Sequence, residues 1–440
     1  MPRIYIETYG CQMNVADSEL VLGVLEREGY VAVDDPAAAD VVLVNTCAVR
    51  DHAEQKVLSR VGELKRYKQP GGVLGVVGCM AQRLGARLLE RVPQVDLVVG
   101  PDGYRGLAEL IARARGGERS AEVAFKSWEH YEDVPPVREG GAGAASAFVT
   151  VQRGCDYRCT FCIVPMTRGP ERSRKLADVV REVERLAEAG TTEVTLLGQT
   201  VNSYDDGTHD FADLLRAVGA VPGMRRLRFT SPYPTDFGER VVAAMAETPA
   251  VCEHVHLPVQ SGSSCVLRRM LRRYDRDRYL AVVTALRDAM PGIALTTDII
   301  VGFPGESEED FRETLSLVEA VAFDDAFTFR YSPREGTPAT RLKDVVPDPV
   351  AGERLERLVA AVRGIARRKN VALVGSTHEV LVEGWAKRGD LLQGRTRANK
   401  VALFPGPDQW IGSYRMVRFT GTTGSTFAAR TVGQEFAVVG

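Results

Sequence analysis

Arg153-Gly-Cys-Asp-Tyr-Arg-Cys-Thr-Phe-Cys-Ile-Val-Pro165 places Cys155, Cys159 and Cys162 within eight residues. Thiolate is the usual ligand of iron–sulfur centres, so three of them can hold three irons of a 4Fe–4S cluster. No fourth cysteine lies nearby, which leaves one iron open to a small molecule. Zinc fits this spacing poorly. Zinc knuckles pair a CxxC with a second CxxC or with histidines at fixed offsets, and neither is close at hand.

Around this motif strand and helix patterns alternate from residue 147 onward. Strands are expected at 147–152, 193–197, 226–230, 253–257, 293–301 and 326–331, with helices falling between them, for example at 176–189, 237–247, 279–290 and 308–320. Six such units suit a partial (β/α)6 barrel over 147–370, with the cysteine loop after its first strand. Active groups in such barrels lie at the carboxyl ends of the strands. The loops expected at that rim are polar and glycine-rich: Gly198-Gln199-Thr-Val-Asn202-Ser203, Ser231-Pro-Tyr-Pro234, Pro258-Val-Gln260-Ser261-Gly-Ser263 and Gly302-Phe-Pro-Gly-Glu306. Backbone amides and short side chains of this kind let a nucleoside approach closely.

Residues 1–118 repeat one unit three times. Strands at 3–8, 39–45 and 73–77 each break just before a cysteine, Cys11, Cys47 and Cys79, and helical patterns follow at 18–28, 53–67 and 82–90. Alternation of this kind predicts a parallel α/β sheet whose site forms at the strands' carboxyl ends. The three cysteines are therefore either separate packing thiols or the ligands of a second cluster. Cys252 and Cys265 have no such address and read as packing thiols.

Residues 119–146, with the run Arg138-Glu-Gly-Gly-Ala-Gly-Ala-Ala-Ser146, read as a linker. From 371 to 438 short strands alternate with glycine turns, at 378–383, 391–396, 401–404, 414–420 and 426–432. That pattern predicts a small β-barrel. Residues 371–440 carry eight Lys and Arg, Arg388 among them, against five acidic residues that include Glu435. With Trp385 and Tyr414 expected at its surface, such a barrel suits RNA. The run from Arg168 to Lys175 reads either as a solvated helix entrance or as the mouth of an anionic site. Arg268, Arg269, Arg272 and Arg273, beside Tyr274, tilt toward phosphate contacts.

Overall the chain reads as α/β. Its 440 residues, 45% hydrophobic, allow several cores, and a net charge of −2 excludes a polyanion binder acting through bulk charge. Eight cysteines are too sparse for a disulfide scaffold. No apolar run approaches a membrane span, and Met-Pro-Arg-Ile-Tyr-Ile-Glu lacks a signal peptide's apolar region. A cytoplasmic protein without membrane contact is expected, with monomer as the default.

The CxxxCxxC spacing resembles the signature of the radical S-adenosylmethionine (SAM) enzymes. Tyr9-Gly-Cys-Gln-Met-Asn14, Asn45-Thr-Cys47, Gly78-Cys79 and the stretch from Arg153 to Arg174 extend that resemblance to the methylthiotransferases over nearly the full length. The C-terminal barrel resembles that family's RNA-binding TRAM domain. The resemblance implies two 4Fe–4S clusters, one on Cys11, Cys47 and Cys79 and one on Cys155, Cys159 and Cys162. It further implies SAM bound at the second cluster and cleaved to a 5′-deoxyadenosyl radical, with methylthio delivered from the first to C2 of an adenosine. A C2–H has no useful acidity, so a radical route suits it. Gly198, Gln199, Asn202, Ser231, Gln260, Ser261 and Gly302 are the candidate SAM contacts, joined by Phe161 from the family pattern. Three branches modify isopentenyl-adenosine or threonylcarbamoyl-adenosine beside the tRNA anticodon, or a ribosomal-protein aspartate. Gly10-Cys-Gln-Met-Asn-Val-Ala-Asp-Ser-Glu19 and Thr230-Ser-Pro-Tyr-Pro-Thr-Asp-Phe237 look most like the isopentenyl-adenosine branch. Expected partners are tRNA, a reducing electron-donor protein and a sulfur donor. A non-enzymatic alternative is an iron–sulfur sensor that binds RNA.

Overall fold

The computed structural model describes residues 1–48, 51–138, 141, 144–387 and 389–433, without the side chains of 51–55. Four residues of the expected linker (139, 140, 142 and 143), Arg388, Glu435 and the end of the expected barrel lie outside the described residues.

The strands are β1 Arg3–Thr8, β2 Val31–Ala32, β3 Val41–Thr46, β4 Val73–Gly78, β5 Leu97–Val99 and β6 Ser120–Glu122, in one parallel sheet of order β2-β1-β3-β4-β5-β6. β3 and β4 are buried along their whole length, as continuous apolar runs in a parallel sheet covered on both faces should be. Val41, Leu43, Val73 and Val77 enter one core, and Val42, Val44, Leu74 and Val76 the other. Helices α1 Gln12–Arg27, α2 Asp51–Leu64, α3 Cys79–Leu84, α4 Ala86–Arg91 and α5 Leu107–Arg115 belong to this unit. Strand order reverses between β1 and β3, so the crevice opens there, at their carboxyl ends.

The stretch expected as a linker is not uniform. β6 adds to the sheet edge, and Tyr131 and Val134 are buried in the N-terminal core. Arg138 then ties Glu19 of α1 to Glu182.

The central unit holds parallel strands β7 Ser146–Thr150, β10 Glu193–Leu197 and β11 Arg226–Phe229, then β12 His254–His256, β13 Ala294–Val301 and β14 Asp325–Arg330. A parallel bridge between Leu227 and Val251 joins the two triplets, giving the expected six-stranded arc. β8 Gln152–Arg153 and β9 Arg172–Ser173 pair as a short antiparallel ribbon beside the cysteine loop. Helices α6 Val164–Arg168, α7 Leu176–Glu188, α8 Phe211–Gly219, α9 Glu239–Glu247, α10 Ser264–Arg269, α11 Arg276–Ala289, α12 Glu308–Val321 and α13 Asp348–Ala372 complete it.

β15 Thr377–Trp385, β16 Leu392–Thr396, β17 Val401–Phe404, β18 Tyr414–Thr422 and β19 Thr426–Thr431 close a barrel in the order β15-β16-β17-β19-β18. It docks against the amino ends of the central strands, opposite the cysteine rim. Arg226, buried at the start of β11, ion-pairs with Glu193 at 3.7 Å and Glu379 at 2.9 Å, and donates to Arg395 O at 2.8 Å. Tyr414 is not at the surface as expected. It is buried, hydrogen-bonds Thr192 at 3.0 Å and lies under the Arg225 guanidinium. Arg395, Arg397 and Lys400 are likewise paired, with Glu383, Glu253 and Asp324. Less of the barrel's basic excess faces outward than composition suggests, while Trp385 is exposed.

Arg226→Ala would remove the buried cation shared by Glu193 and Glu379, leaving Glu193 with Arg228 at 3.2 Å and Glu379 with Arg225 at 2.7 Å. Removing one partner of a buried ion pair costs about 3–5 kcal/mol, so thermal unfolding of this variant should shift steeply downward. A loss under about 1 kcal/mol, the range of surface pairs, would show that this junction does not hold the barrel.

Candidate functional site

Cys11 caps α1, Cys47 directly follows β3 and Cys79 opens α3. Their convergence is locally enforced. Gly78 sits at φ 95, a conformation that glycine adopts without strain, and a side chain there would run into Asn45 and the Thr46 carbonyl. Asn14 Nδ2 donates to Asn45 Oδ1 and Thr46 O, each at 3.2 Å, while Asn45 Nδ2 returns to Asn14 O at 2.8 Å. This buried clasp fastens the turn bearing Cys11 to the strand end bearing Cys47. A hydrogen bond with Cys47, aided by the charge of Arg168, pulls the Cys11 thiol down to about 6, whereas burial pushes Cys79 up.

The second triad lies in the loop after β8. Gly154 sits at φ 79 with the Pro170 carbonyl where a Cβ would be, so Cys155 lies against the backbone of 169–170 and donates to Gly169 O at 3.1 Å. Thr160 ties the loop to the end of α10, from its amide to Met270 O and its hydroxyl to Arg269 O, both at 3.0 Å. Burial pushes Cys155 up to about 11 and Cys162 up to about 12.

Each triad has an arginine donating to one of its sulfurs, Arg168 buried and Arg272 half-buried. Arg272 reaches Cys159 Sγ with Nη1 at 3.3 Å, stacking on Tyr233 and Tyr274. Arg168 is buried rather than solvated and donates from Nε to Cys79 Sγ at 3.1 Å. Arg172, in the same run, is buried on Asp102, and Arg174 pairs with Glu182 at 2.6 Å. Of the two thiols outside the triads, Cys252 is buried as expected, but Cys265 is exposed at the start of α10.

The candidate SAM contacts divide into two groups. Asn202 is engaged with the Tyr233 backbone in both directions, at 2.9 and 2.7 Å, and Ser261 is fully buried against Thr314. Both side chains have hydrogen-bond partners within the rim. Gln199 accepts from the Gly154 amide and so touches the cysteine loop. Ser231 and Gln260 stand at φ 59 and 70, and Gly302 at φ 72, each at a strand's carboxyl end. Phe161 meets Phe303 edge-on at 6.4 Å. Asp17 carries no sequence signal of a site residue, and the cysteine contacts of Arg168 and Arg272 are not legible in sequence, because no spacing rule links an arginine to a cysteine 89 or 113 positions away.

No three His, Cys, Asp or Glu side chains among the described residues are grouped to hold a single metal ion. The donor chemistry does suit iron–sulfur clusters: three thiols per site, each site next to a cation that offsets thiolate charge. In the metal-free protein the low-pKa, exposed Cys11 should alkylate first, since the thiolate is the reactive form. Its rate should level off above about pH 7 and fall as pH drops below the value of about 6, while Cys155 and Cys162 stay slow. Equal labelling of all three by mass spectrometry at pH 7 would contradict this.

Comparison with known proteins follows this geometry. The uncharacterized protein family UPF0004 matches residues 3–100, the radical SAM superfamily 149–318 and the TRAM domain 371–423. A tRNA-2-methylthio-N6-dimethylallyladenosine synthase of Geobacter sulfurreducens is 47% identical over 422 residues, covering 95% of this chain and 94% of the relative. The synthase of that name from Bacillus subtilis is 44% identical, covering 99% and 87%. The chain belongs to this synthase family. It is an enzyme with a radical SAM domain, which implies SAM and a 4Fe–4S cluster. Among solved structures, the radical SAM methyltransferase TsrM of Kitasatospora setae aligns with TM-score 0.60 at 16% identity, covering 83% of this chain and 89% of that one. The cobalamin-dependent radical enzyme OxsB aligns at 0.55 and 13%, covering 83% and 58%. These likenesses concern the fold alone. Among the described residues no helix is long and apolar enough to cross a membrane.

Proposed function

We propose that this enzyme transfers a methylthio group to C2 of N6-dimethylallyl-adenosine next to the anticodon of tRNA. Cys11, Cys47 and Cys79 hold one 4Fe–4S cluster, and Cys155, Cys159 and Cys162 hold the other. The observation that carries this reading is the meeting of the two triads. Each lies at the carboxyl ends of a parallel sheet, and Ile163, next to Cys162, packs against Cys79 and Ala48.

When bound, the clusters and SAM supply the radical and the sulfur that an unactivated C2–H requires. The protein's own residues place and shield them. The Asn14–Asn45 clasp fixes the N-terminal thiols, Thr160 pins the second loop, and Arg168 and Arg272 balance thiolate charge. Ser231, Gln260, Gly302 and Phe161 border the rim where SAM would lie. The barrel at the opposite end, with exposed Trp385, would hold RNA outside the anticodon loop by stacking and charge. Such chemistry calls for a reducing electron-donor protein and a sulfur donor, in a cytoplasmic enzyme that we take as a monomer.

The test is iron and acid-labile sulfide on anaerobically reconstituted protein, beside a Cys155/Cys159/Cys162 triple-alanine variant. About eight irons falling to about four is expected for two clusters. About four falling to none would reduce Cys11, Cys47 and Cys79 to packing thiols and overturn the sulfur-transfer step. Nucleoside analysis of tRNA, run beside ribosomal protein as the acceptor, then identifies the substrate.

A further inference from the structure

Arg168 belongs to the central domain but ends on a cysteine of the N-terminal one. It closes α6, the five-residue helix that begins two residues after Cys162. Both ends of that segment touch the other triad: Ile163 packs on Cys79 and Ala48, and Arg168 Nε donates to Cys79 Sγ at 3.1 Å. The side chain is 4% exposed. Nη1 lies 2.7 Å from Asp17 Oδ2 as an ion pair, and neither Nη1 nor Nη2 has a hydrogen-bond acceptor among the described residues. Asp17 is fully buried and is shared with Arg153, whose Nη1 is 3.2 Å from its other oxygen. Two guanidiniums therefore face one carboxylate, leaving one positive charge in excess beside the thiols. Tyr104 adds only a neutral hydroxyl, 3.4 Å from Asp17.

An interdomain tie would need none of this asymmetry, and Arg172 on Asp102 already supplies a balanced one close by. An N–H donor on a cluster thiolate, backed by unbalanced positive charge in a dry site, favours the reduced, more negative state of an iron–sulfur centre. We propose that Arg168 is a positioning residue of the N-terminal cluster. It holds that cluster against the Cys155–Cys162 loop and raises its reduction potential. This rests on the two-cluster reading above.

The experiment uses the full chain with Cys155, Cys159 and Cys162 changed to alanine, so that only the N-terminal cluster contributes. Its midpoint potential is followed by EPR during a redox titration, with Arg168 retained and with Arg168→Met or Arg168→Lys. The Met variant should titrate at a more negative potential than the parent. The Lys variant should fall between them, because it keeps the charge without the directed Nε–H. Equal potentials in all three would overturn the role of Arg168 and leave the cluster assignment intact. If the Met variant takes up no iron, the Lys variant decides alone: a lowered potential supports the proposal and an unchanged one overturns it. A parent that takes up no iron would instead overturn the two-cluster reading, and this proposal with it.

Discussion

Cys159→Ala is expected to reduce SAM cleavage to background, with no 5′-deoxyadenosine formed under reducing, anaerobic conditions. Two thiolates would remain where three are needed to hold the cluster with one iron open. The structure adds a second penalty. Arg272 would lose the sulfur it reaches at 3.3 Å and keep Tyr274 at 2.8 Å and Pro258 O at 3.3 Å as hydrogen-bond partners. Leaving a fully buried donor unpaired costs about 1–3 kcal/mol and a half-buried one less, so some thermal destabilisation should accompany the loss of chemistry. Cys265→Ala, at the exposed thiol on α10, is the matched control and should cleave SAM normally. Cleavage by the Cys159 variant at the control's rate would remove the central triad from the reaction.

Cys47→Ala should separate the two halves of the reaction. SAM cleavage continues, and methylthiolated tRNA disappears from the nucleoside profile. Cys47 is the better choice within its triad for a structural reason. Cys79 takes part in the contacts that join Ile163 and Arg168 to the N-terminal domain, so Cys79→Ala would also disturb the interface. Cys11→Ala would disturb the cap of α1, which Cys11 occupies. Loss of both activities in the Cys47 variant would argue against functionally separate sites.

Several elements follow closely from local pattern. β10 occupies the residues expected of it, and β13 and α12 differ from expectation by one residue at an end. Each is encoded by neighbours in the chain. α1 begins at Gln12 rather than 18, because the Asn14–Asn45 clasp across 31 residues and the packing of Met13 and Ala16 against Leu197 stabilise its first turns. α8 lies between β10 and β11, where the alternation of strand and helix calls for a helix, and its bounds carry a local signal. Asp210 accepts from Asp213 N at 3.0 Å in a capping box, followed by Phe211, Leu214, Leu215 and Val218 on the buried face.

What the sequence determined by itself is the position of the six cysteines relative to strand ends, and with it the order of two parallel α/β units and a small barrel. Those features depend on residues a few positions apart, where spacing and period act directly. The tertiary structure alone decided where the arginines go. A guanidinium on a long side chain finds its partner only when two sheets are placed against each other. Arg168 reaches Cys79, Arg272 reaches Cys159 and Arg226 reaches Glu379 across 89, 113 and 153 positions. The same placement buried Tyr414 under Arg225 and Asn202 and Ser261 beside their hydrogen-bond partners, because burial depends on what covers a residue as well as on what the residue is.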